Sequence, residues 1–227
     1  MPITLPRATT SLPAFPFNDW RLQEGLVLYA PLWHEKLNKS PFPSQDFYHH
    51  SGIITGATWG SQGRTFDGDD LITCGNVLDF TTESFTLGAW IYITSLADRR
   101  WIVNKARAGQ WGYSLWVYTD GSLYISTYQP GVSQDTNSAA GTIVINTWYF
   151  VVGTRSGAVG KVYINGSDAT SVSGTHVNPD TNTELLTIGR EANVLARFPM
   201  LGIIGEVWIY NRALSQAEIQ FIYLATK

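Results

Sequence analysis

The chain is predicted to fold as an all-β sandwich of antiparallel strands, and three observations carry that prediction. From Gly25 onward, short apolar runs recur between turn residues, as in LVLYAPL, GIITGATW, SFTLGAWIYI, RWIVNKA, TWYFVVGTR, GKVYING and GIIGEVWIYN, which is sandwich spacing. Within FTLGAWIYI the parity is clean: Phe85, Leu87, Ala89, Ile91 and Ile93 alternate with Thr86, Gly88, Trp90 and Tyr92, so one face is mainly aliphatic and the other carries polar and aromatic groups. Helical periodicity is absent until LSQAEIQFIYLAT, where Ser215 as N-cap and Glu218 three residues on form a capping box.

The elements follow in order. Residues 1–24 are expected to be an extended arm, because Pro2, Pro6, Pro13 and Pro16 block both helix and central strand. Its apolar side chains Ile3, Leu5, Leu12, Phe15 and Phe17 are the anchors with which it would grip other protein subunits. The start has neither the charged nor the apolar region of a signal peptide, so an extracellular or virion-surface location would be reached without one. The folded domain is expected over residues 25–227. In FDGDD, Asp67, Asp69 and Asp70 read as a tight turn around Gly68. Cys74 is the single cysteine, so no intrachain disulfide is available.

The stretch GYSLWVYTDGSLYIST, residues 113–128, is a hairpin whose register decides its faces. With Thr119-Asp120-Gly121 as a three-residue loop and Gly121 left-handed in a bulge, Val117 pairs with Leu123, Leu115 with Ile125 and Trp116 with Tyr124. One face is then aliphatic, and the other carries Ser114, Trp116, Tyr118, Ser122, Tyr124 and Ser126. Asn165-Gly166 marks a second hairpin with a type I′ turn.

Composition narrows the function. With 227 residues the chain suits one β-rich domain. Its charged fraction of 15% is low and its aromatic fraction of 13% is high, so the surface is built from hydroxyls, amides and rings. A net charge of −3 without a basic stripe excludes nucleic acid as the main partner. No run approaches the ~18 apolar residues of a membrane span, so no membrane insertion is expected.

The succession FDGDDLITCGN, LDFTTESFTLGAWIYI, IVNKARAGQWGYSLWVYTDGSLYIST, NTWYFVVGTR, GKVYINGSDATS, LLTIGR and GEVWIYNRALSQAEIQFIY resembles the laminin-G-like branch of the concanavalin A-like lectin and glucanase superfamily. The resemblance implies a jelly-roll sandwich of two antiparallel sheets with a short helix after the last strand. It covers sugar-binding modules, adhesion domains, parts of enzymes and surface subunits of virus particles, so the fold does not choose a function.

Glucanases of this superfamily carry alternate carboxylates on one strand, and retaining hydrolysis needs two about 5 Å apart. No glutamate here has a carboxylate two positions away, which points to a non-catalytic protein. His34, His49, His50 and His176 read as surface-loop residues. The resemblance also implies a structural Ca²⁺, with Asp46 and Glu206 as ligands, although Gly205 stands where the family places an aspartate. Sugar rings stack on aromatic faces while hydroxyls and amides take their OH groups. Trp116, Tyr118, Tyr124, Trp101, Gln110 and Trp111 are therefore the candidate ligand-binding residues. Three functions stay open here: a surface subunit of a phage or virus particle, such as a decoration or receptor-binding protein, a free-standing carbohydrate-binding lectin or adhesion module, and a glycan-active enzyme.

Overall fold

A computed structural model describes residues 20–107, 111–191 and 198–227. After α1 (Trp20–Gln23) come β1 (Leu26–Pro31), β2 (Phe42–Pro43), β3 (Ser51–Thr55), β4 (Thr58–Gly60), β5 (Gly63–Asp67), β6 (Leu71–Thr73), β7 (Phe85–Ile93) and β8 (Arg100–Arg107). The second half contains β9 (Trp111–Val117), β10 (Leu123–Gln129), β11 (Val132–Ser138), β12 (Trp148–Ser156), β13 (Val159–Ile164), β14 (Ser167–Asp168), β15 (Thr170–Ser173), β16 (Thr187–Ile188), β17 (Leu201–Tyr210) and α2 (Gln216–Thr226). Two antiparallel sheets result, as a jelly roll requires. One runs β14-β13-β12-β7-β17-β5-β4 with β1 also on β17, and the other runs β15-β11-β10-β9-β8-β16-β6-β3-β2.

The parity of β7 assigns the layers. Phe85, Leu87, Ala89, Ile91 and Ile93 enter the core between the sheets, where they join Leu115, Val117, Leu123 and Ile125. Trp90 points the other way and packs with Trp208, Phe150, Tyr210, Ile219 and Ile222 beneath α2. Its indole Nε1 donates to Thr226 Oγ1 at 2.8 Å. The capping box that starts α2 is formed as expected, with Ser215 Oγ accepting from the Glu218 backbone and the Glu218 carboxylate accepting from Ser215 N. Packing also reaches ahead of Gly25, since Leu22 of α1 is buried in this same cluster.

The hairpin has the register expected of the three-residue loop. Leu123 faces Val117, Tyr124 faces Trp116 and Ile125 faces Leu115. Gly121 is left-handed, with φ of 80°. Its N–H donates to Tyr118 O at 3.0 Å, and Tyr118 N donates to Ser122 O at 2.9 Å. A Cβ on Gly121 would sit 2.3 Å from the Ile143 carbonyl oxygen, so both the angle and the space demand glycine. At the second hairpin Asn165 and Gly166 have φ of 52° and 81°, the type I′ pair. FDGDD is a turn, in which Asp70 Oδ2 accepts from Asp67 N at 2.8 Å.

Two histidines expected on surface loops are inside instead. His34 is buried and caps the 3₁₀ turn Glu35–Leu37 by accepting from Lys36 N at 3.1 Å. His176 is held between the Thr127 and Thr136 hydroxyls, at 2.9 and 2.8 Å. A ring with a hydroxyl for each nitrogen is satisfied without water, which a pattern of loop residues does not reveal. His49 is exposed and His50 half-buried, as expected.

Leu115 is fully buried among core side chains, so Leu115→Ala is expected to lower unfolding free energy by about 2–5 kcal/mol in urea titration. Burial, followed by the nearby Arg155 charge, pushes the His176 pKa down to about 4. The unfolded chain, near 6.5, then binds the proton first. Stability should therefore be flat from this source above pH 6.5 and fall by up to about 3 kcal/mol as the pH drops toward 4. His176→Gln should flatten that part of the stability profile, and an unchanged slope in the variant would contradict the assignment.

Candidate functional site

The hairpin register builds a site on the outer face of the nine-stranded sheet. Because directly paired residues share a face, three rungs cross it. The first is Trp101, Trp116, Tyr124 and Asn137, the second Asn104, Ser114, Ser126 and Asp135, and the third Ala106, Gly112, Tyr128 and Ser133. Trp101 reaches this face because β8 shifts register between Trp101 and Val103, which sends both Ile102 and Val103 into the core.

The middle rung is a hydrogen-bonded floor. Trp116 Nε1 donates to Ser126 Oγ at 2.9 Å, and Ser126 Oγ donates to Asp135 Oδ1. Ser114 Oγ and the Tyr128 hydroxyl are 3.0 Å apart. Burial pushes the Tyr128 phenol up to about 12, with Asp135 raising it and Arg99 lowering it as lesser influences. Tyr128 therefore stays neutral, and two opposite charges lie close to it. Ser126 is not a bystander on an open face, as its position in a surface hairpin would suggest, but a fully buried link between an indole and a carboxylate.

Rings form the walls. Trp116 and Tyr124 stack with centroids 4.3 Å apart, and Trp101 lies 5.6 Å from Trp116. Phe198 closes the side, 6.0 Å from Trp101. Its φ is 55°, a costly angle for a bulky residue, and its carbonyl is held by Trp101 N at 3.1 Å. The Arg99 guanidinium sits 5.3 Å from the Trp116 ring, 5.3 Å from Tyr118 and 5.0 Å from Phe198. The result is a pocket of about 260 Å³ lined by Arg99, Trp101, Trp116, Tyr128, Ser133, Asp135 and Phe198.

The expected ligand residues are thus partly gathered. Trp101 and Trp116 line the pocket, while Tyr118 and Tyr124 pack against the Trp116 ring without lining it. Trp111 pairs with Arg107 at the far end of β9 and does not line it. Gln110 and the arm residues Ile3, Leu5, Leu12, Phe15 and Phe17 lie outside the described residues. Sequence reasoning missed Arg99, Tyr128, Asp135 and Phe198. Tyr128 continues the parity of Tyr124 and Ser126 and was legible. Asp135 was hidden because β11, VSQDTNS, has no apolar alternation to mark it as a strand.

A laminin-G family model, described as the concanavalin A-like lectin/glucanases superfamily, matches residues 66–220. The chain belongs to this superfamily. No relative was found among curated proteins. Among solved structures, the binding domain of Paraclostridial mosquitocidal protein 1 is similar at 17% identity and a TM-score of 0.69, over 89% of this chain and 52% of that one. The binding domain of botulinum neurotoxin DC, solved with SialylT, is similar at 16% and 0.64, over 90% of this chain and 52% of its own. A sialidase of Trypanosoma rangeli is similar at 21% and 0.66, over 88% of this chain and 32% of the enzyme. At such identities the likeness is one of fold, and the chain spans about half of the toxin domains and a third of the sialidase.

The structural calcium that superfamily membership implies would use Asp46 and Glu206, both buried. Asp46 Oδ2 accepts from Tyr29 N at 2.9 Å and Oδ1 from Tyr48 N at 2.8 Å. Glu206 Oε1 accepts from the Trp33 indole at 2.6 Å. Among the described residues no histidine, cysteine or further carboxylate joins these two in a cluster of three ligand atoms, and the cluster that does form is Asp67, Asp69 and Asp70 in the turn. Carboxylates already occupied by N–H donors make a poor fit for calcium, which takes six to eight oxygens. Addition of EDTA is accordingly expected to leave Tm unchanged, and a fall in Tm would place an ion at these residues.

Proposed function

We propose that the protein is a lectin-like module that binds a glycan end in the Arg99–Trp101–Trp116–Tyr128 pocket and does not cleave it. The observation that carries this proposal is the outer face of the nine-stranded sheet. It holds a pocket with aromatic walls, a hydroxyl-bonded floor and two charged rim groups, the few-polar, mostly apolar arrangement of a small-ligand site. Aromatic rings on the opposite side of the sandwich lie beneath α2, where the space between Phe150, Trp208, Tyr210 and the helix is about 10 Å³, against about 260 Å³ here. Among the described residues Asp135 is the one carboxylate lining the pocket, whereas retaining hydrolysis needs a pair. The SialylT complex of the botulinum binding domain supports a glycan as ligand. A module of this kind works where glycans are displayed, outside cells or on a particle surface. The reading as a phage or virus subunit rests on arm residues outside the described set, so the pocket carries the proposal.

The test is spectroscopic and chemical. Addition of glycans to the isotope-labelled protein should shift the indole N–H signals of Trp101 and Trp116. Phe198→Ala should weaken that binding roughly 2- to 10-fold, as expected for loss of one aromatic contact. No reducing ends should appear on prolonged incubation. A silent pair of indoles across a broad glycan panel would overturn the site, and sustained turnover would overturn the binding-only role.

A further inference from the structure

The pocket's charged groups go further than a generic sugar site. Arg99 is half-buried and its guanidinium lies within about 5 Å of three rings. Rings supply no oxygen acceptor, so the donor-bearing edge of the guanidinium keeps its five N–H groups for a ligand. Among the described residues nothing accepts a hydrogen bond from that edge and no carboxylate pairs with it. This sets it apart from the buried arginines of the fold: Arg64, Arg100 and Arg155 each donate to backbone carbonyls. Asp135, the other charge of the pocket, is engaged through Oδ1 by Ser126 and makes no ion pair with Arg99.

We propose that Arg99 reads the carboxylate of an acidic sugar at the end of a glycan, while Asp135 accepts from a hydroxyl or amide N–H of the same ring. This rests on the pocket being the glycan site. Three features favour it. A planar guanidinium fork matches a carboxylate in two parallel hydrogen bonds, which a neutral sugar hydroxyl cannot supply. The ring cage holds the guanidinium in place beforehand, so little side-chain freedom is lost on binding. At about 260 Å³ the pocket falls below the range of drug-sized sites, which suits one terminal ring better than the interior of a chain. Sialic and uronic acids share this carboxylate chemistry.

Isothermal titration with methyl sialoside, methyl glucuronide and the methyl ester of each separates the possibilities, using the full chain and the variants Arg99→Gln and Arg99→Lys. The wild type should prefer at least one acid over its own ester by about tenfold or more, the scale of a charge-assisted contact. Arg99→Gln should bring that ratio close to one, and Arg99→Lys should recover part of it, since the charge returns without the fork. Which of the two acids is preferred identifies the source. Equal affinity for acid and ester in the wild type, or an undiminished ratio in Arg99→Gln with Tm unchanged, would overturn the role of Arg99 while leaving a neutral-sugar site intact. Failure of every acid and ester to bind, with neutral glycans also silent at Trp101 and Trp116, would overturn the glycan site itself.

Discussion

The left-handed turn at Gly121 is the constraint on which the site depends. It fixes the loop between β9 and β10 at three residues, and a slip by one residue would exchange the faces of every side chain on one strand. With β10 slipped, Leu123 and Ile125 would leave the core, and Trp116 would lose its place opposite Tyr124. The turn is itself braced from outside, since Ile143 N donates to Gly121 O at 2.8 Å and Gly141 N to Asp120 O at 2.7 Å. A backbone angle open chiefly to glycine thereby positions a ring pair on the outer face of the sheet.

Each sheet has an inner face in the shared core and an outer face rich in rings, but the two outer faces are treated differently. On the eight-stranded sheet, α2 lays Ile219 and Ile222 over Trp90, Trp208 and Tyr210. That burial removes large apolar surface from water and gives a short terminal helix its reason to form. On the nine-stranded sheet no helix arrives among the described residues, and the ring groups are fewer and interleaved with Ser114, Ser126 and Asp135. The Trp116 indole donates to Ser126, and Ser114 and the Tyr128 hydroxyl share a hydrogen bond, so these polar groups are satisfied without a covering layer.

How much of this was legible follows from the kind of signal each residue leaves. Local rules were sufficient for the hairpin register, the Asn165-Gly166 turn, the FDGDD turn and the Ser215–Glu218 capping box, because each is decided within a few residues of chain. Parity was sufficient to divide β7 and β9. What stayed hidden depends on distant partners. His176 looks like a loop residue until Thr127 and Thr136 are brought to its two nitrogens. Asp135 lies on a strand of polar residues whose pairing with β10, and not its composition, makes it a strand. Arg99 and Phe198 are ninety-nine residues apart and meet only because β8 and the segment before β17 converge.

That convergence has its own physical cause, one residue along from Arg99. Arg100 is buried, faces Val117 on the core side of β9, and carries its guanidinium inward. Its Nε donates to Ser95 O at 2.6 Å, and its Nη1 to Arg99 O and Pro199 O, both at 3.1 Å. Burial lowers its pKa, with the Asp98 charge acting the other way, yet an arginine stays charged in proteins, so these carbonyls must help stabilise the buried cation. In doing so they bind the segments carrying Arg99 and Phe198 to one another. Alternation along an extended chain then turns Arg99 outward, over Trp116. Two adjacent arginines thus divide the work: the inward one joins the two walls of the pocket, and the outward one, whose guanidinium donates to no acceptor among the described residues, faces the pocket.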